Sequence, residues 1–263
     1  MENKILEVKN LKTYFYASGN IVKAVDDISF DIGKNKVFGL VGESGSGKTL
    51  TALSILKLVA PPGKIVGGKV LFDGINLLDK DEAYLRGIRG AKIAIVFQEP
   101  ASALDPVFTI GEQITEAITA HQKINKLGAE KLAMEFLGRV HIPDVKKVYH
   151  DYPHQLSGGT KQRAMIAMAL VNSPELVILD EPTTALDVTI QAQILDLLEE
   201  IIAKEKLSIL FISHDFGIIA KMCDRVAVMY KGKIVESGAT KQILNDPKDK
   251  YTIALLESVK ALS

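Results

Sequence analysis

Residues 37–59 read VFGLVGESGSGKTLTALSILKLV, and their order decides how the chain folds. Five apolar residues are followed by a stretch in which Gly42, Gly45 and Gly47 are interleaved with small polar residues, and then by a helix-forming run. A strand that passes through a glycine-rich loop straight into a helix predicts an α/β unit. The glycines let the chain turn sharply and leave backbone N–H groups bare at the helix N-terminus, where an anion can approach. Gly42 to Thr49 fit the pattern G-x-x-x-x-G-K-[ST] in the context it requires. The backbone of Gly42, Glu43, Ser44, Gly45, Ser46 and Gly47 would turn inward on β- and γ-phosphate oxygens, Lys48 would neutralise charge, and the Thr49 hydroxyl would ligate Mg²⁺.

Two further stretches extend this reading. LVILDEP, residues 176–182, is an apolar strand ending in two carboxylates, which a parallel sheet delivers at its carboxyl edge, where open α/β sheets bind ligands. Asp180 is placed to hold Mg²⁺ through water, and Glu181 to polarise an attacking water as general base. Taken alone, such a pair after a strand is more often a helix start or a solvated loop; with a phosphate loop in the same chain, the catalytic reading wins. LSGGTKQR, residues 156–163, sets two glycines immediately before a helix-forming run, either as a turn and cap or as a second anion site.

The bulk composition excludes several classes. At 263 residues the chain can bury a sizeable core, and 32 basic against 32 acidic residues leave no basic footprint for nucleic acid. The single cysteine, Cys223, rules out an internal disulfide framework and reads as a packed core residue. MENKILEVKN lacks the basic and apolar regions of a secretory signal, and the apolar runs fall far short of the roughly 18 to 20 residues of a membrane-spanning helix.

Short Val- and Ile-rich runs alternate with helical patterns, as in a largely parallel, buried sheet. Strands are expected at 5–8, 28–32, 37–41, 69–72, 93–97, 176–179, 208–212, 226–230 and 233–236, the first few forming an antiparallel flank. From about 99 to 163 the strands give way to a helical subdomain inserted into the sheet's sequence. YKGKIVESG predicts a hairpin turning at Lys231 and Gly232, and residues 241–263 a helical tail of two short helices broken at Pro247.

The phosphate loop, the serine–glycine–glycine stretch and the carboxylate pair, in that order, resemble the ATP-binding subunit of ABC transporters over residues 5–240. The resemblance implies a P-loop NTPase (RecA-like) α/β core across residues 1–240 that binds ATP and Mg²⁺ and hydrolyses ATP. It implies that two such subunits meet head to tail, Ser157 and the backbone of Gly158 and Gly159 acting in trans on the γ-phosphate held by the partner. Gln98 in IVFQEP is similar to the glutamine that links Mg²⁺ and the attacking water to the transporter interface. TALD, Thr184 to Asp187, resembles the loop that touches the opposite subunit, and His214 in FISHD the switch histidine on the γ-phosphate. The remaining histidines, His121, His141, His150 and His154, read as packed or solvated. For the adenine platform the resemblance points to KTYFYASG, with Phe15 aligning by spacing and Tyr14 and Tyr16 as alternatives.

VFQEPASALDP and YPHQLSGG resemble the importer branch that serves oligopeptides, dipeptides and nickel, with relatives that take oligosaccharides. In this family the serine–glycine–glycine stretch is the signature, and Thr160 departs from the usual glutamine or methionine after its glycines. DKYTIALLES resembles the branch's tail segment without its histidine and proline, and the chain stops soon after it, as a shortened or a naturally short member would. The expected setting is peripheral, at the cytoplasmic face of the membrane, with transmembrane permease subunits, a second ATP-binding subunit (a copy or a paralogue), an extracellular substrate-binding protein reached indirectly, and no nucleic acid. The rivals are a soluble ATPase of this family acting on nucleic acid or ribosomes, which would carry coiled-coil insertions, zinc modules or tandem units, and the ATPase of an exporter. The transported molecule leaves no trace in a nucleotide engine.

Overall fold

The computed structural model describes residues 3–17, 20–184 and 186–260. In chain order, β1 (Lys4–Ala17) and β2 (Asn20–Gly33) precede β3 (Val37–Val41), α1 (Lys48–Ile55), β4 (Gly63–Phe72), β5 (Ile75–Asn76) and α2 (Glu82–Ile88). β6 (Ile93–Val96) opens a helical stretch of α3 (Pro100–Ala103), α4 (Ile110–Thr119), α5 (Lys126–Arg139), α6 (Val145–His150) and α7 (Gly158–Leu170). Then follow β7 (Leu176–Asp180), α8 (Val188–Glu205), β8 (Ser208–Ser213), α9 (Phe216–Met222), β9 (Arg225–Tyr230), β10 (Lys233–Ala239), α10 (Thr240–Asn245) and α11 (Lys250–Lys260).

The chain divides into two compact units, one of residues 1–85 and 208–263 and one of residues 86–207. The first holds an antiparallel sheet in the order β2-β1-β4-β5, together with β10, β9, β3 and β8 side by side. β3 runs parallel to both β8 and β9, while β10 returns antiparallel on β9. Every residue of β3 and β8 is buried, which is why VFGLV and the ILFI inside β8 read as continuous runs rather than alternating ones. The β9–β10 turn falls at Lys231 and Gly232, with φ of 44° and 81°. Two central residues in the left-handed region are what a tight hairpin turn needs to match the strand twist.

The antiparallel strands are longer than their sequence pattern predicts. β1 and β2 each run for 14 residues where four or five were expected, because bulges break the alternation that marks a strand. Asn10 (φ 49°) and Asp27 (φ 65°) sit inside these strands in left-handed conformations, and by sequence they read as turn residues. Gly68 (φ 98°) presses against the Asn10 bulge, where a Cβ would come within 2.6 Å of the Asn10 carbonyl. The short β5 carried no strand signal at all.

In the second unit β6 and β7 pair in parallel, and the stretch from α3 to α7 is helical as expected. α4 begins with a complete capping box: Thr109 donates its N–H and hydroxyl to the Glu112 carboxylate at 2.8 and 2.9 Å and accepts the Glu112 N–H at 3.2 Å. Those donors hold the Glu112 carboxyl below its ordinary pKa.

Thr109→Ala should cost about 1 kcal/mol, read by urea denaturation at neutral pH. A carboxyl whose folded pKa is depressed contributes stability above its unfolded value and loses it as pH falls through the folded one. The Glu112 contribution should therefore disappear in acid, and the gap between wild type and variant should narrow there.

Candidate functional site

In the first unit the phosphate loop follows β3 and leads into α1, and its shape depends on two missing side chains. A Cβ at Gly42 would lie 2.1 Å from the Met229 carbonyl oxygen, and one at Gly47 (φ 109°) 2.2 Å from that of Ala24. Only glycine lets the loop settle on this backbone floor. The floor is stitched in place by the hairpin turn: Gly232 N–H donates to Ser46 O at 2.9 Å, and Asp26 N–H to Gly232 O at 2.7 Å. Lys48 is 4% exposed, and its ammonium donates to Gly42 O at 2.7 Å and Glu43 O at 3.0 Å. The charge is thereby held at the loop's own backbone. Thr49 and the side chains of Glu43 and Ser44 are exposed, as is Gly45, while Ser46 is buried. His214 is exposed just past the end of β8, and Asp215 behind it caps α9 by accepting Gly217 N–H at 2.6 Å.

The three consecutive aromatics on β1 have different surroundings. The Tyr14 hydroxyl donates to the Asp26 carboxylate at 2.7 Å, and that bond pushes its pKa up to about 12. Lys23 lies over the same ring. Phe15 is half-buried, its ring edge against Gly63, and Tyr16 is 44% exposed.

In the second unit β7 ends in Asp180, 1% exposed, and Glu181 follows in a left-handed conformation at φ 47°. Such a backbone costs energy for a residue with a Cβ and is held here by its side chain's partners. The Glu181 carboxylate accepts from Gln98 Nε2 at 3.2 Å and from the Thr184 hydroxyl at 2.9 Å. Gln98 and Glu181, 83 residues apart in sequence, are thus joined. Of the TALD stretch, Ala185 lies outside the described residues, and Asp187 caps α8 by accepting Ile190 N–H at 3.0 Å.

The two glycines at the start of α7 are there for different reasons. Ser157 caps the helix, accepting Thr160 N–H at 3.3 Å. A Cβ on Gly159 would lie 2.6 Å from Ile190 Cγ2, so packing against α8 accounts for that glycine. A Cβ on Gly158 would make only an ordinary 3.4 Å contact with Leu186, and Gly158 is exposed. Nothing among the described residues requires glycine there.

Residues 25–184 match the ABC transporter family. The chain belongs to that family. Among its ABC transporter relatives is the dipeptide transport ATP-binding protein DppD of Bacillus subtilis, 47% identical over 98% of this chain and 78% of its own length. The oligopeptide transport ATP-binding protein OppD of the same organism is 46% identical, over 98% of this chain and 73% of its own. Among solved structures, the dimeric ATP-binding cassette MJ0796 with bound ADP and Pi superposes with a TM-score of 0.80 at 26% identity, covering 89% of this chain and 98% of that one. The CbiO1 cassette of Clostridium perfringens gives 0.78 at 27% identity over 99% of both.

Exchanging each signature glycine for alanine separates the two roles. Gly159→Ala should lose about 1 to 3 kcal/mol by overpacking against Ile190, and Gly158→Ala should stay within about 0.5 kcal/mol of wild type, as thermal denaturation of the nucleotide-free chain will read.

Proposed function

We propose that this chain is the ATP-hydrolysing subunit of a peptide importer, working as a head-to-tail pair with a second ATP-binding subunit at the cytoplasmic face of a membrane. The observation that carries the catalytic part is the Glu181 carboxylate held by Gln98 and Thr184. The peptide class is supported by the dipeptide and oligopeptide relatives, alike over 98% of this chain. No helix among the described residues is long and apolar enough to cross a membrane. In this reading the path for cargo belongs to permease subunits. An extracellular substrate-binding protein would act through them.

In this reading the loop from Gly42 to Gly47 surrounds the β- and γ-phosphates, and Lys48 moves its charge from backbone carbonyls to phosphate oxygens. Phe15 is the adenine platform: Tyr14 is committed to Asp26 and Tyr16 stands out in solvent. The groups assigned to Mg²⁺ are the Thr49 hydroxyl, the Gln98 amide oxygen and the Asp180 carboxylate, an all-oxygen set with one buried acid. That set fits a hard cation completed by substrate phosphates and water, and no cluster of three or more acidic, histidine or cysteine side chains competes for it among the described residues. Mg²⁺ bound there supplies charge neutralisation of the transferring phosphoryl group.

Glu181 takes a proton from the attacking water as the water oxygen bonds to the γ-phosphorus and the bridging oxygen leaves with ADP. Gln98 keeps that carboxylate aimed, and His214 contacts the γ-phosphate. The second subunit closes the site with Ser157 and the backbone N–H groups of Gly158 and Gly159, with Asp187 beside the shared nucleotide. The Gly158 position, exposed and not explained by packing among the described residues, supports that assignment.

The docking face for the permease is the segment after Gln98. Gln113 ties down the loop before α4, donating to Asp105 O at 2.9 Å and Phe108 O at 3.0 Å, and Val107 and Phe108 on it are 69% and 48% exposed. Two large apolar side chains held out on an anchored loop are suited to a hydrophobic partner.

Two experiments test this reading. Glu181→Gln should slow hydrolysis by about 10²- to 10⁴-fold and shift the chain, or its mixture with the paralogue, to a dimer with ATP and not with ADP, as light scattering reads. Adding Gly158→Asp should remove the dimer by setting a negative charge against the γ-phosphate; a double variant that still pairs would leave the signature as a helix cap. Separately, Val107→Glu with Phe108→Glu should abolish co-purification with the two permease subunits while nucleotide binding by the free chain is retained. Permease capture at wild-type level would move the docking face elsewhere.

A further inference from the structure

The proposed function gives the C-terminal helix α11 no task, yet one of its side chains touches the phosphate loop. The hydroxyl oxygen of Tyr251, in the first turn of α11, accepts the N–H of Glu43 at 3.2 Å. Its ring stacks on Tyr230 at the end of β9, with centroids 4.2 Å apart and planes 29° from parallel. Burial and the nearby Glu43 carboxylate raise the Tyr251 pKa, so the phenol stays neutral through the physiological range.

The tail around this tyrosine is fixed by a relay of backbone bonds. The Glu236 carboxylate on β10 accepts the N–H groups of Lys248 and Asp249 at 2.8 and 3.1 Å. The Asp249 carboxylate in turn accepts those of Tyr251 and Thr252 at 2.8 and 3.4 Å. Thr252 and Leu256 are buried. The strand β10 thus sets where α11 starts, and the start of α11 sets where the phenol points.

At the other end of the contact lies the peptide unit joining Gly42 to Glu43. Its carbonyl, Gly42 O, accepts from Lys48 at 2.7 Å, while its N–H goes to Tyr251. In a trans peptide these two groups point in opposite directions. The tyrosine therefore holds the side of the plane facing away from the lysine: the Glu43 N–H is withdrawn from the donors expected to turn inward on phosphate oxygens, and the ground where Lys48 meets a phosphate is left clear. We propose that Tyr251 is a positioning residue of the nucleotide site, its phenol oxygen fixing the first peptide plane of the phosphate loop and making the tail helix part of the ATP-binding machinery. This rests on the assignment of that loop to ATP. A loop released from the tether samples other orientations, and its apparent affinity falls by the fraction of time it spends outside the competent one.

Tyr251→Phe keeps the ring and its stack and removes only the acceptor. In the full chain, calorimetry should show ATP and ADP binding about 2- to 10-fold weaker, the worth of one net hydrogen bond. The KM for ATP should rise by a similar factor with kcat retained, and the melting temperature of the nucleotide-free chain should hold. Hydrogen exchange without nucleotide should be faster in the peptide spanning residues 42–48. Glu236→Ala, which loosens the tail from its far end without touching the tyrosine, should weaken nucleotide binding in the same direction. Wild-type affinity and exchange in Tyr251→Phe would overturn the proposal, and so would tighter binding, which would make the tail a restraint instead. Should the wild type itself fail to bind ATP, or Lys48→Ala bind it equally well, the ATP assignment would fall first and take this inference with it; faster exchange alone would then leave only a structural tether.

Discussion

The phosphate loop has no room for side chains on its lower face, and the architecture of the first unit is organised around that constraint. Gly42 and Gly47 rest on the carbonyls of Met229 and Ala24 at separations that a Cβ would violate by more than an ångström. For those carbonyls to be there, β9 must run beside β3, and β2 must carry Ala24 in under the loop. The β9–β10 turn completes the floor through Gly232, which is itself close-packed: a Cβ there would lie 2.6 Å from the Lys23 carbonyl. A loop built this way presents its amides in a fixed array and needs little reorganisation when charge arrives. The burial of β3 and β8 supplies the rigidity, since a strand covered on both faces cannot shift register without exposing its core.

The second unit solves a different problem, holding the Glu181 carboxylate in a fixed place. Glu181 follows a buried strand in a left-handed turn, and that turn brings its side chain to Gln98 and Thr184. The backbone strain and the two hydrogen bonds belong together: the turn aims the side chain, and the bonds stabilise the turn. The start of α7 shows the same economy, with Ser157 satisfying the helix end and Gly159 admitting Ile190. Gly158 has no such explanation among the described residues, and that contrast makes it the informative glycine of the pair.

Much of this could be read before any coordinates were known, because it lies in short stretches where residue type and spacing carry the physics. The loop from Gly42 to Thr49, the carboxylates after β7, the capped start of α7 and the turn at Lys231 and Gly232 are local. So is the alternation of fully buried strands with helices, since strands covered on both faces read as near-continuous apolar runs. The extents of β1, β2 and β4 were not legible in the same way. Bulges at Asn10 and Asp27 interrupt the period of two, and the left-handed residues that make them are the types that elsewhere end strands.

The amino-acid sequence by itself determined the chemistry on offer: a glycine-rich anion loop with its lysine, a paired carboxylate after a strand, a serine–glycine–glycine helix start and three adjacent aromatics. Tertiary structure decided which of these residues meet, and what each does for its neighbours. It joined Gln98 to Glu181 across 83 residues, tied Tyr14 to Asp26 and so set it apart from Phe15, and separated the packing glycine from the open one. It also carried Tyr251 to Glu43 across 208 residues, a contact for which no spacing rule exists. The physical reason is range. Backbone preference and periodicity act within a few residues of each other, whereas a hydrogen bond between distant residues forms only after the strands between them have fixed both ends in place.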